Sequence, residues 1–395
     1  MTAGEAPTRA AGLARLEAFA PRMGRAYAAN RNTDVGPGAN VHVSGLSPWI
    51  RRRLVTEEEA VRAALEAHGP RGADKFVQEV LWRTYWKGWL EMRPSVWADF
   101  EAARDRLDAG GPAVRAAAEG RTGIAGFDDW ARELAATGWL HNHARMWFAS
   151  IWIFTLGLPW ELGADLFLRR LTDADPASNT LSWRWVAGLQ TPGKTYLATA
   201  ENIARFTEGR FRPKGLATEA RPVAGPPPPA ARPLPPARRE TPDGPHLVLV
   251  TDEDLTPEQL IGPWEIAGIV SAPEPAIAGR GVPAGAFAAG ALADAERRAR
   301  ARYGHPVMRL DGLTADALVT AAQAAGAVGV VTACAPVGPT AAALARARPK
   351  VEAAGLRLTE VRRPWDEALW PLATKGFFPF RERAPEVLRT LGLAI

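Results

Sequence analysis

The sequence predicts an all-α domain followed by an α/β domain with a doubly wound parallel sheet. Three observations support this. Apolar residues recur at helical spacing through residues 1–219, residues 220–245 are rich in proline, and strand and helix signals alternate over residues 246–395. Alternating strands and helices are typical of a parallel sheet, whereas a proline-rich stretch favours an extended, semi-rigid spacer. We therefore expect two domains, 1–219 and 246–395, joined by a linker at 220–245.

Composition narrows the class of protein. The chain has 395 residues, of which 47% are hydrophobic, enough for two packed cores. Its single cysteine, Cys334, excludes a disulfide framework, a cysteine-type zinc site and a four-cysteine iron–sulfur cluster, and it suits a reducing cytoplasm. We expect no membrane span, because no apolar run approaches about 18 residues, and no signal peptide. The net charge of +5 is spread evenly and by itself gives little support for DNA binding.

The first elements are predicted from spacing and charge. Residues 1–30 are expected to form one helix, because apolar residues from Leu13 to Tyr27 fall on one face. The basic run Arg51–Arg53 is typical of a solvated surface, and contact with DNA phosphates is the alternative.

Two further helices are predicted before residue 92. The first runs from Thr56 to His68 and begins with a capping box formed by Thr56 and Glu59. The second runs from Lys75 to Glu91 and places four residues on one face: Glu79, Trp82, Arg83 and Trp86. The simpler interpretation of that face is a helix that buries aromatic rings and carries one salt bridge.

The stretch from Thr137 to Gly188 organises the rest of the chain. We predict a helix from His141 to Gly157, with Asn142, Arg145 and Met146 on one face, and another from Trp160 to Leu171. The second is followed by two aspartates, Asp173 and Asp175. Arg145 and these aspartates must pair if they are buried, because an unpaired buried charge costs several kcal/mol.

Twelve of the fifteen tryptophans precede residue 186. Such concentration indicates a tightly packed helical core, or a site that stacks flat rings or relays electrons.

Two segments of this stretch carry a family resemblance. TGWLHNHARM followed by LTDADPASNTLSWRW resembles the flavin-binding domain of the DNA photolyase and cryptochrome family in order and spacing. The resemblance implies a helical domain that binds FAD. It further implies an Arg145–Asp173 ion pair against the flavin ring, with Asn179 facing the flavin N5 atom. Asp175 and Asn142 would contact the ribose and phosphate arm of the cofactor or the substrate.

The same resemblance extends to earlier segments. Tyr27 and the loop SGLSP, with Ser44, Leu46 and Ser47, resemble the segment that wraps the diphosphate of the cofactor, although Val43 replaces the usual threonine. A helix-capping loop is the alternative there. Arg83 would lie near the flavin.

The resemblance also implies a substrate pocket and an electron path. A pyrimidine dimer flipped out of DNA would be contacted by five residues: Glu79, Trp82, Asn142, Met146 and Trp185. Trp183 and Trp160 match the first two members of a tryptophan chain that reduces the flavin. Trp86, Trp97, Trp147 and Trp152 are candidates for the third member. His143 replaces the family's usual arginine, which would weaken a phosphate contact or make it pH-dependent.

The last 150 residues add a weaker resemblance. LVLVTDEDLTPEQL and KGFFPFRER are similar to the opening and the closing turn of the family's α/β domain, which normally precedes the flavin domain. We therefore expect a circular permutation. No Gly-x-Gly-x-x-Gly fingerprint is present, so ordinary dinucleotide binding is not supported. A second, antenna chromophore of unknown identity would lie off the carboxyl ends of the strands.

Three functions are consistent with these features. The first is a light-driven lyase that repairs cyclobutane pyrimidine dimers in damaged DNA. The second is a cryptochrome-like blue-light receptor, with a protein partner. The third is a flavin-binding redox or structural protein. The first is favoured, because Glu79, Trp82, Met146 and Trp185 would form a lesion pocket that a receptor does not need.

Overall fold

The computed structural model describes residues 6–235, 243–262, 264–273, 275 and 277–395. Helices alone make up the secondary structure of its first part, residues 6–219, which we call the helical half. Their bounds are α1 (Arg9–Phe19), α2 (Arg25–Asn30), α3 (Ser47–Arg51), α4 (Glu57–Glu91), α5 (Ser95–Arg104), α6 (Pro112–Ala118), α7 (Phe127–Thr137), α8 (Asn142–Ser150), α9 (Trp160–Arg170), α10 (Pro176–Val186) and α11 (Ala200–Phe206).

Residues 243–395, the sheet half, alternate strands and helices as predicted. The strands are β1 (His246–Thr251), β2 (Ile266–Ala272), β3 (Val307–Arg309), β4 (Gly329–Ala333) and β5 (Arg357–Val361). The helices are α12 (Pro257–Leu260), α13 (Val282–Tyr303), α14 (Ala315–Ala324), α15 (Pro339–Ala353), α16 (Pro364–Leu369) and α17 (Phe377–Thr390). All strand pairs are parallel, in the order β3-β2-β1-β4-β5. The predicted fold class is confirmed.

Two expectations for the first helices need correction. The single helix predicted over residues 1–30 is two helices, because a 3₁₀ turn at Ala20–Arg22, which contains Pro21, separates α1 from α2; residues 1–5 lie outside the described residues. The helices predicted at 56–68 and 75–91 are joined as α4 across a kink at Gly69, where φ is +64° and Pro70 follows. The capping box of Thr56 and Glu59 is present.

Later helices also differ in their bounds. The region from Arg93 to Gly120 contains α5 and α6 with a turn between them. The helix predicted from His141 continues beyond α8 as one π-helical turn, Ile151–Thr155. Among the described residues, no helix is both long and apolar enough to cross a membrane.

The described part of the proline-rich stretch is largely exposed and is tied to the helical half by backbone hydrogen bonds. Residues 220–235 form neither helix nor strand. The Val223 amide donates to the Ala187 carbonyl and the Arg232 amide to the Met92 carbonyl, both at 2.9 Å. Residues 236–242 of the predicted linker lie outside the described residues.

The two halves meet through buried ion pairs, and this overturns the prediction of a solvated Arg51–Arg53. The side chains of Arg51, Arg52 and Arg53 are 1–3% exposed. Arg51 bonds Glu253 at 2.7 Å, and Arg53 bonds Asp366 at 2.6 Å. Both carboxylates come from the sheet half, so the basic run neutralises another part of the chain and does not face DNA.

The same contacts cover the carboxyl ends of three strands. Glu253 follows β1, Val337 follows β4 and donates its amide to Glu91 at 2.5 Å, and Arg363 follows β5. We expected an antenna chromophore off these strand ends. Residues after β1 and β4 contact the helical half, and Arg363 after β5 bonds Asp254 of the sheet half at 2.6 Å. The position of an antenna chromophore stays a prediction.

Candidate functional site

One cavity of about 510 Å³ gathers most of the predicted site residues. Ten of them line it: Glu79, Trp82, Asn142, Arg145, Met146, Asp173, Asp175, Asn179, Trp183 and Trp185. They come from α4, α8, α10 and the turn between α9 and α10. The helical spacing that predicted shared faces is therefore confirmed for α8 and, with the exception of Arg83, for α4.

The lining residues range from buried ones, which form what we call the floor, to exposed ones, which form what we call the mouth. Asp175 and Trp183 are each 2% exposed, and Asp173 and Asn179 are 8% and 9% exposed. Trp82 and Trp185 are half-buried. The exposed lining residues at the mouth are Asn142, Ser182 and Phe378.

An ion pair forms part of the floor. Arg145 Nη2 lies 2.9 Å from Asp173 Oδ2, and Arg145 Nε donates to the Leu140 carbonyl at 2.9 Å. The predicted pairing is confirmed. The other carboxylate oxygen, Asp173 Oδ1, is buried without a hydrogen-bond partner among the described residues. A buried acceptor normally has a partner, so this oxygen is suited to accept a hydrogen bond from a ligand.

Two cationic side chains surround the Asp175 carboxylate behind the floor of the cavity. This carboxylate lies 3.1 Å from Arg83 Nη1 and 3.1 Å from Lys87 Nζ, and it caps α10 by accepting from the Ser178 amide at 2.8 Å. Burial raises the pKa of the Asp175 carboxyl, but Lys87, Arg83 and Arg51 outweigh it and hold that pKa well below its usual range. Asp175 is therefore a permanent anion.

Arg83 does not line the cavity, although the sequence placed it near the flavin. Arg83 forms ion pairs with Asp175 and Glu57, each at 3.1 Å, and its effect on the cavity is therefore exerted through Asp175. Lys87, one turn further along α4, was not predicted. It is 3% exposed, and burial lowers its pKa. The i, i+4 spacing of Arg83 and Lys87 could have revealed this pair.

Flat rings form the walls. Trp82 stacks on Phe377 at 3.6 Å with planes 9° apart, and its ring centre lies 5.2 Å from that of Trp86. Trp185 stacks on Tyr196 at 5.7 Å. These contacts orient Trp82 and Trp185 firmly, as stacking surfaces for a planar ligand require.

Glu79 adds a carboxyl group to the upper wall. It lies 3.5 Å from Arg31 Nε. Burial raises the pKa of Glu79, and Arg31 and Lys75 partly oppose that shift. A carboxyl group with this tendency toward its protonated form can donate as well as accept a hydrogen bond.

Trp183 and Trp160 are placed differently. Trp183 lies on the floor. The centre of its ring lies 5.2 Å from that of Phe167 and 6.3 Å from that of Trp152. Trp160 does not line the cavity and instead packs on Phe100 at 5.6 Å. The role of Trp160 as the second member of an electron path stays a prediction, and Trp152 is the tryptophan that the structure places against Trp183.

The loop expected to hold a diphosphate does not line the cavity. Tyr27 packs on Phe19 and Phe76 and lines a second cavity of about 300 Å³. The Ser44 carbonyl accepts from Arg15, Leu46 is fully buried, and Ser47 begins α3. Contact of these residues with a cofactor stays a prediction.

His143 does not face the cavity either. It is 8% exposed, stacks on Trp147 at 4.2 Å and forms a hydrogen bond through Nδ1 to the Asn32 carbonyl, which accepts it, at 3.0 Å. Burial lowers its pKa. The ring is enclosed by the helical half, and the expectation that His143 weakens a phosphate contact or makes it pH-dependent stays a prediction.

Sequence reasoning missed several lining residues. Most are small or apolar neighbours of predicted ones: Asn32, Ala149, Phe167, Leu171, Ala174, Ser178, Ser182 and Val186. Ser178, Ser182 and Trp185 follow helical spacing, so the period of α10 could have found the two serines. Phe378 comes from the sheet half, and no local pattern connects it to this cavity.

Part of the chain that forms the cavity is similar in sequence to known proteins. Residues 76–210 match the family model of the FAD binding domain of DNA photolyase. A deoxyribodipyrimidine photo-lyase of Streptomyces griseus is 39% identical over 149 residues, 38% of this chain and 32% of that protein. One of Thermus thermophilus is 36% identical over 196 residues, 48% of this chain and 45% of that protein.

Residues 76–210 of the helical half are thus similar in sequence to the FAD-binding domain of DNA photolyase.

A solved structure covers a similar share. The class III photolyase of Agrobacterium tumefaciens covers 51% of this chain and 43% of its own, at 26% identity and a TM-score of 0.44. This chain thus spans less than half the length of the relatives it matches.

FAD fits the residues of the cavity. The floor offers buried polar atoms without partners, Asp173 Oδ1 and Ser178 Oγ, to the hydrogen-bonding edge of a flavin. Asn179 is held by its Nδ2 donating to the Ala164 carbonyl at 2.9 Å, which fixes the orientation of the amide. Phe167 and Trp183 supply apolar surface beside these polar groups. A flat ring system with one polar edge requires this combination.

Proposed function

We propose that this chain is a deoxyribodipyrimidine photolyase, a lyase that splits cyclobutane pyrimidine dimers in damaged DNA under blue light. One observation carries the proposal. The residues that would contact a flipped dimer share one cavity with the residues that would hold the flavin ring. The Streptomyces and Thermus relatives carry the name of this activity.

The cofactor and the protein divide the work. When bound, reduced FAD supplies the light-excited electron that opens the cyclobutane ring, and it takes that electron back. Asp173 and Arg145 would hold the flavin, and Asn179 would stand beside its reactive edge. Arg83 and Lys87 lie behind Asp175 and neutralise its charge, so the floor would repel an anionic ligand less than Asp175 alone would.

The upper walls would receive the lesion. A dimer must leave the helix to reach this depth, and Trp82 and Trp185 offer stacking surfaces to its two bases. Glu79 and Asn142 can hydrogen-bond the base edges. Met146 adds a flexible apolar contact.

Three further parts of the proposal concern the rest of the protein. The sheet half follows the FAD-binding domain, so we propose a circularly permuted family member with domains at 1–219 and 246–395. A second chromophore would lie in the sheet half, away from the covered ends of β1, β4 and β5. The proposed place of action is the cytoplasm, where reducing conditions suit the single cysteine.

The test is light-dependent repair. The protein with its flavin reduced is mixed with an oligonucleotide carrying a thymine cyclobutane dimer, and loss of the dimer is followed under blue light and in the dark. We expect repair only in the light. Repair should fall at least tenfold in Trp82→Ala and Trp185→Ala, because each loses one stacking surface, while flavin stays bound.

Trp264→Ala is the matched control. Trp264 contacts His246 in the sheet half and does not line the cavity, so repair should be unchanged. A flavin-loaded protein that absorbs blue light but repairs no dimer would reject the lyase and favour a photoreceptor. Full repair in both cavity variants would reject the assignment of the pocket.

A further inference from the structure

Phe378 stands at the mouth of the cavity although it belongs to the sheet half. It is the second residue of α17, and its side chain is 65% exposed. It nevertheless lines the same cavity as Trp82 and Trp185.

The backbone just before Phe378 is anchored to α4. Phe377 is 4% exposed and stacks on Trp82 at 3.6 Å. Tyr85 donates its hydroxyl to the Lys375 carbonyl at 2.8 Å. The position of the Phe378 ring is therefore set by contacts between the two halves and does not depend on a mobile loop.

Exposure alone would not single out this residue, because isolated apolar side chains are common on protein surfaces. Val282, for example, is 84% exposed and does not line the cavity. Phe378 differs because it shares a cavity with two stacking surfaces and lies at its open end. A planar apolar group that enters from solvent meets the Phe378 ring before it reaches the buried floor.

We propose that Phe378 contacts the flipped-out bases of the dimer, so that the sheet half supplies one wall of the lesion site. This inference rests on the proposed function of the cavity. The ring is exposed before DNA binds and would be covered in the complex, so its contact with the bases stabilises the complex alone. Aromatic contacts of this kind typically change affinity by about fivefold or more when removed.

The test measures DNA affinity in the dark, so that binding is separated from the light reaction. Fluorescence anisotropy is recorded with a dimer-containing oligonucleotide, both single-stranded and in a duplex, and with undamaged DNA of the same sequence. Phe378→Ala should weaken binding of both damaged forms about fivefold or more and leave undamaged DNA unaffected. Phe378→Tyr should bind as the wild type does, because it keeps the ring, and Phe378→Leu should lie between them.

Val282→Ala is the control for loss of an exposed apolar side chain, and its affinities should equal those of the wild type. A wild-type protein without preference for the dimer would reject the proposed function itself. A wild-type preference that Phe378→Ala and Phe378→Leu keep in full would overturn the inference alone. A loss of affinity confined to the damaged duplex would also overturn the inference, because the ring would then contact the gap that the flipped-out dimer leaves in the double helix and not the dimer itself.

Discussion

At the residue scale, Glu91 shows how contact between the two halves changes the pKa of one carboxyl group. It is the last residue of α4 and accepts a hydrogen bond from the Val337 amide of the sheet half at 2.5 Å. Burial raises the pKa of Glu91 to about 7, against the opposing effects of that bond and of Lys87. The folded protein therefore binds this proton more tightly than the unfolded chain does.

This shift predicts a pH dependence of stability. Because the folded-state pKa is raised, the free energy of unfolding should fall as pH rises from about 5 to about 7, and level off above that range. The contribution of Glu91 is at most about 3.5 kcal/mol, since its pKa rises from 4.5 to about 7 and one pKa unit corresponds to about 1.4 kcal/mol. Glu91→Gln keeps an acceptor for Val337 and cannot ionise, so its profile should lack this fall.

The measurement is urea unfolding of both proteins between pH 5 and pH 8. The difference between the two profiles isolates Glu91, because every other group titrates in both proteins. Glu91→Gln should gain stability relative to the wild type as pH rises. Parallel profiles would contradict the raised pKa.

At the element scale, the packing of α9 on α10 sets the floor of the cavity. Gly163 of α9 faces the Trp183 ring, and a Cβ there would lie 2.5 Å from Trp183 Cζ3 and 3.0 Å from Trp152 Nε1. No side chain fits this space without moving Trp183. A glycine in mid-helix, normally unfavourable, is explained here by close packing.

Gly163→Ala should therefore destabilise the protein by about 1–3 kcal/mol, the usual cost of overpacking a core. The improved helix propensity of alanine offsets only about 1 kcal/mol of the strain. Chemical denaturation followed by far-ultraviolet circular dichroism measures the change.

Gly285→Ala is the matched control. A Cβ at Gly285 of α13 would meet only the flexible Arg280 side chain, at 3.9 Å. Its stability should be equal to that of the wild type or up to about 1 kcal/mol higher. If Gly163→Ala behaves in the same way as this control, the packing of Trp183 against α9 is looser than described.

At the scale of the whole molecule, charges from the sheet half support the cavity floor. Glu253 bonds Arg51 through both carboxylate oxygens, at 2.7 and 2.8 Å. Arg51 in turn donates through Nε to the carbonyl of Ala174, a lining residue, at 2.6 Å. The floor therefore depends on a residue about 80 positions further along the chain than itself (Ala174 to Glu253).

Glu253→Gln should be strongly destabilising, by about 3–5 kcal/mol, because it leaves the buried positive charges of Arg51, Arg83 and Lys87 short of one anion. Flavin content should fall with it, since Arg51 holds the turn that carries Ala174. Urea denaturation and the flavin absorbance per protein measure the two effects.

Glu58→Gln provides the comparison. The Glu58–Arg62 pair is 38–43% exposed at 2.9 Å, and such pairs contribute about 0–1 kcal/mol. Equal stability losses in the two variants would show that the ion pairs between the halves contribute no more than a surface pair.

The sequence by itself determined the fold class and much of the cavity. The parallel sheet follows from the alternation of strand and helix signals, and the faces of α4 and α8 follow from the helical period of 3.6 residues; both are local properties. The pairing of Arg145 with an aspartate also followed, because a buried charge requires a partner, and the choice of Asp173 came from the family resemblance. For these features, near neighbours in the chain carry the needed information.

Only the tertiary structure decided the burial of Arg51–Arg53, the enclosure of His143 and the position of Phe378. Arg51 meets Glu253 across 202 positions, Arg53 meets Asp366 across 313, and His143 meets Asn32 across 111. A charge run with a partner that distant looks the same in sequence as a solvated one. The physical reason is that burial and ion pairing depend on which surfaces pack together. For Arg51–Arg53 and Phe378 those surfaces belong to opposite halves, and for His143 they belong to distant segments of the helical half.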